Sequence, residues 1–262
     1  MSQTRQERRR AERAAKKEQG DQFQMHFEMW QPWSTFIMKT TLPPPILEKM
    51  IKITDKIVEN AENEKSHGQH LAGQIKDELF IEHEILQKEQ VMDFFLDVSR
   101  NFVIQQFCQS QPLQREAILA EEWYTQMLTM WIISQKDNEY NPVHVHTQCN
   151  LSTVMYLKIP EYLPARKSHR QDDGAITFVG NAAKDQTWGI PNITYRPQVG
   201  DFFIFPAAQQ HMVYPFRTPD GKGERRSVSF NAVFSNKTEQ EQRKKQEEEI
   251  QNGINSGLVV QD

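Results

Sequence analysis

The sequence predicts an α+β fold: a helical front half, then an all-β back half built as an antiparallel sandwich or barrel, with the helices packed on one side. Three observations predict it. Apolar residues recur at helical spacing in the first 121 residues. From Glu122 onward short β-branched and aromatic runs replace them. Turn signals separate those runs, and strands that follow helices rather than alternate with them pack as an α+β domain.

The elements follow in order. Residues 1–20, "MSQTRQERRRAERAAKKEQG", carry more arginine and lysine than acid and almost nothing to bury. This is a solubilising tail, disordered or loosely helical, and its basic character leaves contact with nucleic acid or a partner protein as the sharper alternative. The globular part runs from 21 to 235, helical over 21–121 and β over 122–235. "STFIMKTTL" reads as a strand. Three prolines stop it and open a helix in which Ile46, Met50, Ile53 and Ile57 form one stripe. "SHGQHLAGQIKDE" reads as a loop. "QVMDFFLDVSRNFVIQQFC" is a second amphipathic helix, with Val91, Phe94, Phe95, Val98, Phe102 and Val103 inward. His67, His70 and His83 in this half read as surface or packing residues.

In the back half the strands are "EWYTQMLTMWIISQ", "NLSTVMYLKI", "GAITFVG", "GDFFIFP", "HMVYPF" and "RRSVSFNAVF". Asn141-Pro142, Asp173-Gly174, Val199-Gly200 and Asp220-Gly221 mark turns. Residues 236–262 form a polar appendage, with a mixed-charge helix from Lys237 to Gln251.

Composition removes several classes of function. The net charge of −4 gives no general affinity for nucleic acid or membranes. No apolar run approaches the roughly 20 residues that span a bilayer. The charged N-terminus lacks the apolar centre of a secretory signal. Two cysteines, Cys108 and Cys149, fit free thiols in a reducing cytoplasm.

The chemistry gathers around "EYNPVHVHTQCNLSTVMYL". On a strand, residues i and i+2 share a face about 6.6 Å apart. His144 and His146 can therefore aim at one point, although a pair this short is a weak signal. A third histidine strengthens it. In "GDFFIFPAAQQHMVYPF" a buried strand stops at Pro206, and His211 follows where a barrel rim would bring it over the first two. Three ligands on one side with open positions opposite suit non-haem Fe(II) and oxygen chemistry. In "RRSVSFNAVF", alternation puts Arg225, Ser227, Ser229 and Asn231 on a polar face. Arg226, Val228, Phe230, Ala232 and Phe234 fall on a mostly apolar one. A polar face inside a barrel needs a polar ligand, and Arg225 with Ser227 would suit a carboxylate. The plainer reading is a solvent-facing strand with Arg225 paired to a surface acid.

The order H-x-H, distal His, R-x-S resembles the 2-oxoglutarate/Fe(II)-dependent oxygenases. "NPVHVHTQCNLSTVMYLKIP" with "GDFFIFPAAQQH" and "ERRSVSFN" is similar to the 2-oxoglutarate/Fe(II) oxygenases common in marine bacteriophages and some bacteria. The similarity is specific from about residue 128 to 234 and extends to "MKTTLPPPILEKMIKITDKIVENAEN". It implies a double-stranded β-helix (jelly roll) in which His144, His146 and His211 ligate Fe(II). It implies that Arg225 binds the distal carboxylate of 2-oxoglutarate with help from Ser227, and Tyr156 becomes a third contact to that carboxylate. It also implies O2 as cosubstrate, succinate and CO2 as products, and hydroxylation of an unidentified protein side chain or small molecule. The enzyme would act in the cytoplasm, the host's where a phage encodes it. One departure is His146, where the superfamily usually has a carboxylate; three neutral imidazoles leave more positive charge on the iron.

Two other readings use the same residues. A cupin-type metal protein without 2-oxoglutarate shares the H-x-H and the distal histidine, but normally adds a glutamate soon after the pair; here Gln148 and Asn150 occupy that neighbourhood. A non-catalytic β-helix binding or structural protein leaves three placed histidines and a polar arginine strand without a purpose. Residues Lys158 to Pro197 are the candidate lid, with Arg166, Lys167, His169, Arg170, Trp188 and Tyr195 able to grip an anionic or peptide substrate. An ordinary polar loop is the competing reading, in which His169 is no ligand.

Overall fold

The computed structural model describes residues 36–60, 75, 78–164, 172–180 and 191–255, with side chains described to residue 248. The 1–20 tail, His67, His70, Arg166, Lys167, His169, Arg170 and Trp188 lie outside the described residues.

Among the described residues ten strands form two sheets. The larger contains β1 (Met38–Thr41), β8 (Asp201–Pro206), β5 (Leu151–Lys158), β10 (Arg225–Asn236), β3 (Trp123–Gln135) and β2 (Glu78–Ile81), in that spatial order. The smaller orders β4 (Asn141–His144), β9 (His211–Val213), β6 (Ile176–Val179) and β7 (Asn192–Tyr195). Every recorded pairing is antiparallel. From β3 to β10 the chain crosses repeatedly between the sheets. Four strands join each, which is the double-stranded β-helix, or jelly roll. Strands β1 and β2 widen the larger sheet at its two ends.

Helices cover one face of that sheet. They are α1 (Pro44–Asn60), α2 (His83–Lys88), α3 (Met92–Ser110) and α4 (Arg115–Ala120), with α5 (Lys237–Asn255) after the last strand. Residues two apart on a strand share a face. Met130, Ile132, Val228 and Phe230 thus point together at the helices, where they meet Phe95, Phe102 and Val103 of α3 in one core. The Phe95 ring lies edge-on to Phe230 at 5.6 Å and to Phe202 at 5.9 Å. Burying a ring of this size contributes roughly 1.5–3 kcal/mol. A second core of Val154, Tyr156, Ile176, Phe178, Phe203, Phe205 and Val213 lies between the two sheets.

Several expectations are refined. The first strand covers only Met38–Thr41. The expected loop over 66–78 lies mostly outside the described residues, and its last residue, Glu78, opens strand β2, which pairs with Ile133 to Met130 of β3. Asn141-Pro142 is not a turn: it opens β4, and the turn falls at Asp137-Asn138, where Asn138 takes φ 64°. A proline is tolerated there because β4 is an edge strand. The stretch from Lys158 to Pro197 is only in part a loop, since β6 and β7 within it build the smaller sheet. The other three expected turns hold, with Gly174, Gly200 and Gly221 all at positive φ. No helix among the described residues is long and apolar enough to cross a membrane.

Candidate metal centre

His144 ends β4 and lies directly opposite His211, the first residue of β9. His146 stands two residues beyond the end of β4, so the pair does not share one regular strand. Its backbone N–H donates to the Ala207 carbonyl at 2.9 Å, which ties that segment to the end of β8. The three rings converge nevertheless. Centroids lie 4.2 Å apart for His144 and His211, 5.2 Å for His146 and His211, and 5.3 Å for His144 and His146. Each offers a ring nitrogen within 4.8 Å of the others.

Two of the rings are already oriented. The His144 Nδ1 lies 2.8 Å from the Pro142 carbonyl, and the His211 Nδ1 lies 2.9 Å from the Gln209 carbonyl. A carbonyl only accepts, so each Nδ1 is the protonated nitrogen and each Nε2 keeps its lone pair for a metal. Burial lowers all three imidazoles below their ordinary range. His146 falls to about 3, with His211 and His144 adding to the effect of burial, and His211 falls to about 4. At neutral pH the cluster is therefore three neutral imidazoles, the form that ligates.

The histidines open onto a cavity of about 260 Å³ between the sheets. The predicted polar face of β10 forms one wall of it, with Arg225, Ser227, Ser229 and Asn231 all lining the space and Tyr156 beside them. Ser227 and Tyr156 are direct cross-strand partners. The structure thus brings together all six residues singled out from the sequence.

Arg225 is 1% exposed. Its Nη1 donates to the Gly174 carbonyl at 2.6 Å and its Nη2 donates to Oε1 of Gln135. Gln135 is held for this task, because its Nε2 donates to the carbonyls of Glu139 and Tyr214. The guanidinium carbon also sits 5.4 Å from the centre of the Tyr156 ring. Among the described residues Arg225 makes no ion pair. Its Nε and the Tyr156 hydroxyl have no hydrogen-bond partner there either. Burial pushes the Tyr156 phenol up to about 12, so it stays a neutral donor. A buried cation with neutral neighbours, beside an unused hydroxyl, is suited to an anion that arrives with the ligand.

Gln135, Gly174 and Glu78 line or support this site and were not singled out from the sequence. Gln135 was detectable as a polar residue closing the apolar run "WII". Gly174 serves by its carbonyl, and no side-chain pattern reports that. It is also tightly packed: a Cβ there would lie 2.4 Å from the Tyr162 hydroxyl.

Residues 129–231 match the family model described as "Putative 2OG-Fe(II) oxygenase". No functionally curated protein matches the chain. Among solved structures, similar folds include a Pseudomonas putida prolyl-4-hydroxylase, 14% identical with a TM-score of 0.45, covering 75% of this chain and 91% of that one. They also include a collagen prolyl hydroxylase of Paramecium Bursaria Chlorella virus-1 in a 2OG complex, 14% identical with a TM-score of 0.42, covering 75% and 94%. For an oxidoreductase of the 2OG-Fe(II) oxygenase family from Burkholderia pseudomallei the identity is 16% and the TM-score 0.31. There the alignment covers 42% of this chain and only 44% of the other.

Proposed function

We propose, from the premise that residues 129–231 are the core of a 2OG-Fe(II) oxygenase, that His144, His146 and His211 hold the iron and that Arg225, Ser227 and Tyr156 hold 2-oxoglutarate. One observation carries this reading: a buried arginine with no acidic partner among the described residues shares a cavity with three converging, neutral histidines. The oxygenase domain is 21–235, with 1–20 and 236–262 as appendages.

When bound, Fe(II) with 2-oxoglutarate supplies the oxidising chemistry, in which substrate R–H, O2 and 2-oxoglutarate become R–OH, succinate and CO2. The chain's own residues do the rest. Pro142 and Gln209 fix two imidazoles through their Nδ1 protons. Arg225 offers its Nε, and Tyr156 and Ser227 their hydroxyls, to the distal carboxylate of the cosubstrate. Gln135 and Gly174 keep the guanidinium from turning away. The apolar walls of Val154, Ile176, Phe205 and Val213 exclude water and strengthen these contacts. The substrate is an unidentified protein side chain or small molecule.

Anaerobic titration tests the reading. Fe(II) should bind at one equivalent, and 2-oxoglutarate should then add a weak visible charge-transfer band. The His211→Ala protein should lose the iron. Iron binding with no band would favour a cupin-type metal protein that does not use 2-oxoglutarate. Absence of iron binding would refute the site.

A further inference from the structure

The cavity has a second charged feature that the oxygenase reading leaves unused. Glu78, on the edge strand β2, lines it and is only 3% exposed. Its cross-strand partner is Ile133, and Ile133 in turn pairs with Ser227. Glu78 therefore sits two strands from Ser227 in the same row, roughly 10 Å away at about 4.8 Å per strand. Arg225 marks the anion-binding end of this sheet face, and Glu78 lies on the same face two strands and one row away, at the β2 edge. A ligand that brings its own carboxylate is repelled at that edge, so the wall there serves the second reactant.

The neighbours of Glu78 define what that reactant presents. Ile133 and Trp131 lie two residues apart on the same face of β3, and with Ile75 they form a separate apolar cluster. Both also line the cavity. Phe80 of β2 pairs with Trp131, so the indole lies one row from the acid. Trp131 also approaches His146, with centroids 6.0 Å apart, which sets this wall beside the metal site. A carboxylate with an indole and an aliphatic side chain beside it in the same cavity matches a cation carried on an alkyl stem. The acid takes the charge, the indole face adds a cation–π contact, and the isoleucine packs against the methylenes.

We propose that Glu78, Trp131 and Ile133 form the substrate-recognition wall, and that the substrate presents a cationic nitrogen, ammonium or guanidinium, on an alkyl chain. This deepens the oxygenase reading and rests on it for which reactant occupies the wall. The electrostatics agree. Burial, with Glu139 adding to it, pushes the Glu78 carboxyl up to about 7. A cation at the wall would draw it back to the carboxylate.

The test uses the full-length chain, loaded anaerobically with Fe(II) and 2-oxoglutarate and titrated calorimetrically. The probes are Nα-acetyl-lysine amide against its norleucine counterpart, and Nα-acetyl-arginine amide against its citrulline counterpart. At least one cationic probe should bind tenfold or more tightly than its neutral partner. Glu78→Gln should reduce that ratio to within about twofold, while Glu78→Asp, which keeps the charge, should retain part of it. Ratios near one in the wild-type protein overturn the proposal, and so does no measurable binding of any probe. A ratio that survives Glu78→Gln overturns it as well. If 2-oxoglutarate itself fails to bind the iron-loaded wild-type protein, the oxygenase reading falls instead.

Discussion

Arg225 and Arg226 are adjacent on β10, and both are almost wholly buried, at 1% and 5% exposure. Alternation turns them to opposite faces of the larger sheet, and their surroundings then diverge. Arg226 faces the helices. Its Nε donates to Glu224 at 2.8 Å and its Nη1 to Asp55 of α1 at 2.5 Å. Lys158 and Ser134 bind the same Glu224 carboxylate. Arg225 faces the cavity and meets a carbonyl, an amide oxygen and an aromatic ring. The difference separates a charge paired with acids within the fold from one that, among the described residues, meets only neutral groups, which is why we assign it to a ligand. Burial alone does not distinguish the two; the presence of an acid does.

The largest effects should come from exchanging the two arginines' fates. Arg225→Ala should weaken 2-oxoglutarate binding by about 100-fold or more, since the buried cation facing the cosubstrate carboxylate is removed, and should leave iron bound. Arg226→Ala should leave that affinity unchanged and lower the unfolding free energy by on the order of 3 kcal/mol. Among the described residues it leaves the buried Glu224 with only the half-exposed Lys158 as a cation. Titration of 2-oxoglutarate beside urea unfolding of each variant measures both. Loss of affinity in Arg226→Ala and none in Arg225→Ala would show that the faces are reversed.

How much of this was legible follows from what each residue does. The faces of β10 were legible because period-two alternation survives through "RSVSFN", and burial on both sides did not blur it. The three histidines were legible as types at suggestive spacing, although the strand geometry expected for the pair was not: β4 stops at His144, and a bond to Ala207 does the aiming instead. Glu78 was not legible. It lies at the end of a segment whose polar composition reads as loop, and only pairing across β2 and β3 shows that it faces inward. Arg226's pairing with Asp55 was beyond reach for the same reason, because Asp55 lies 171 residues away on a helix.

The two faces should also respond to pH with opposite sign. On the helix face burial would raise Glu224, but hydrogen bonds from Arg226 and Lys158 overcome it and hold the carboxyl at about 2, against an ordinary 4.5. Its contribution is complete above about pH 4.5 and drains away as pH falls towards 2. On the cavity face Glu78 lies above its ordinary value, at about 7. Its contribution is complete below about pH 4.5 and is lost as pH rises through 7. Each displacement corresponds to at most roughly 3 kcal/mol. Urea unfolding of wild-type protein from pH 3 to 8 should therefore show a maximum in the weakly acidic range. Glu78→Gln should flatten the neutral side, and Arg226→Ala the acidic side. A Glu78→Gln curve parallel to wild type from pH 4.5 to 7 would refute the inward-facing acid.

The smallest expected effect is the most diagnostic, because its two readouts move in opposite directions. The Tyr156 hydroxyl is fully buried and has no partner among the described residues. A buried hydroxyl without a hydrogen bond costs about 1–3 kcal/mol, so Tyr156→Phe should stabilise the ligand-free protein or leave it unchanged. The ring itself stays, with its edge-on contact to Phe203 at 6.3 Å and its place beneath Arg225. With 2-oxoglutarate bound, the same hydroxyl gains a charged acceptor, and its removal should weaken affinity by about five- to tenfold, or roughly 1 kcal/mol. Thermal melting with and without cosubstrate separates the two terms. The ligand-free melting temperature should hold or rise in the variant, and the shift produced by 2-oxoglutarate should shrink. A hydroxyl that only packs the core would leave that shift unchanged, and Tyr156 would then belong to the scaffold with Phe203 rather than to the cosubstrate site with Arg225.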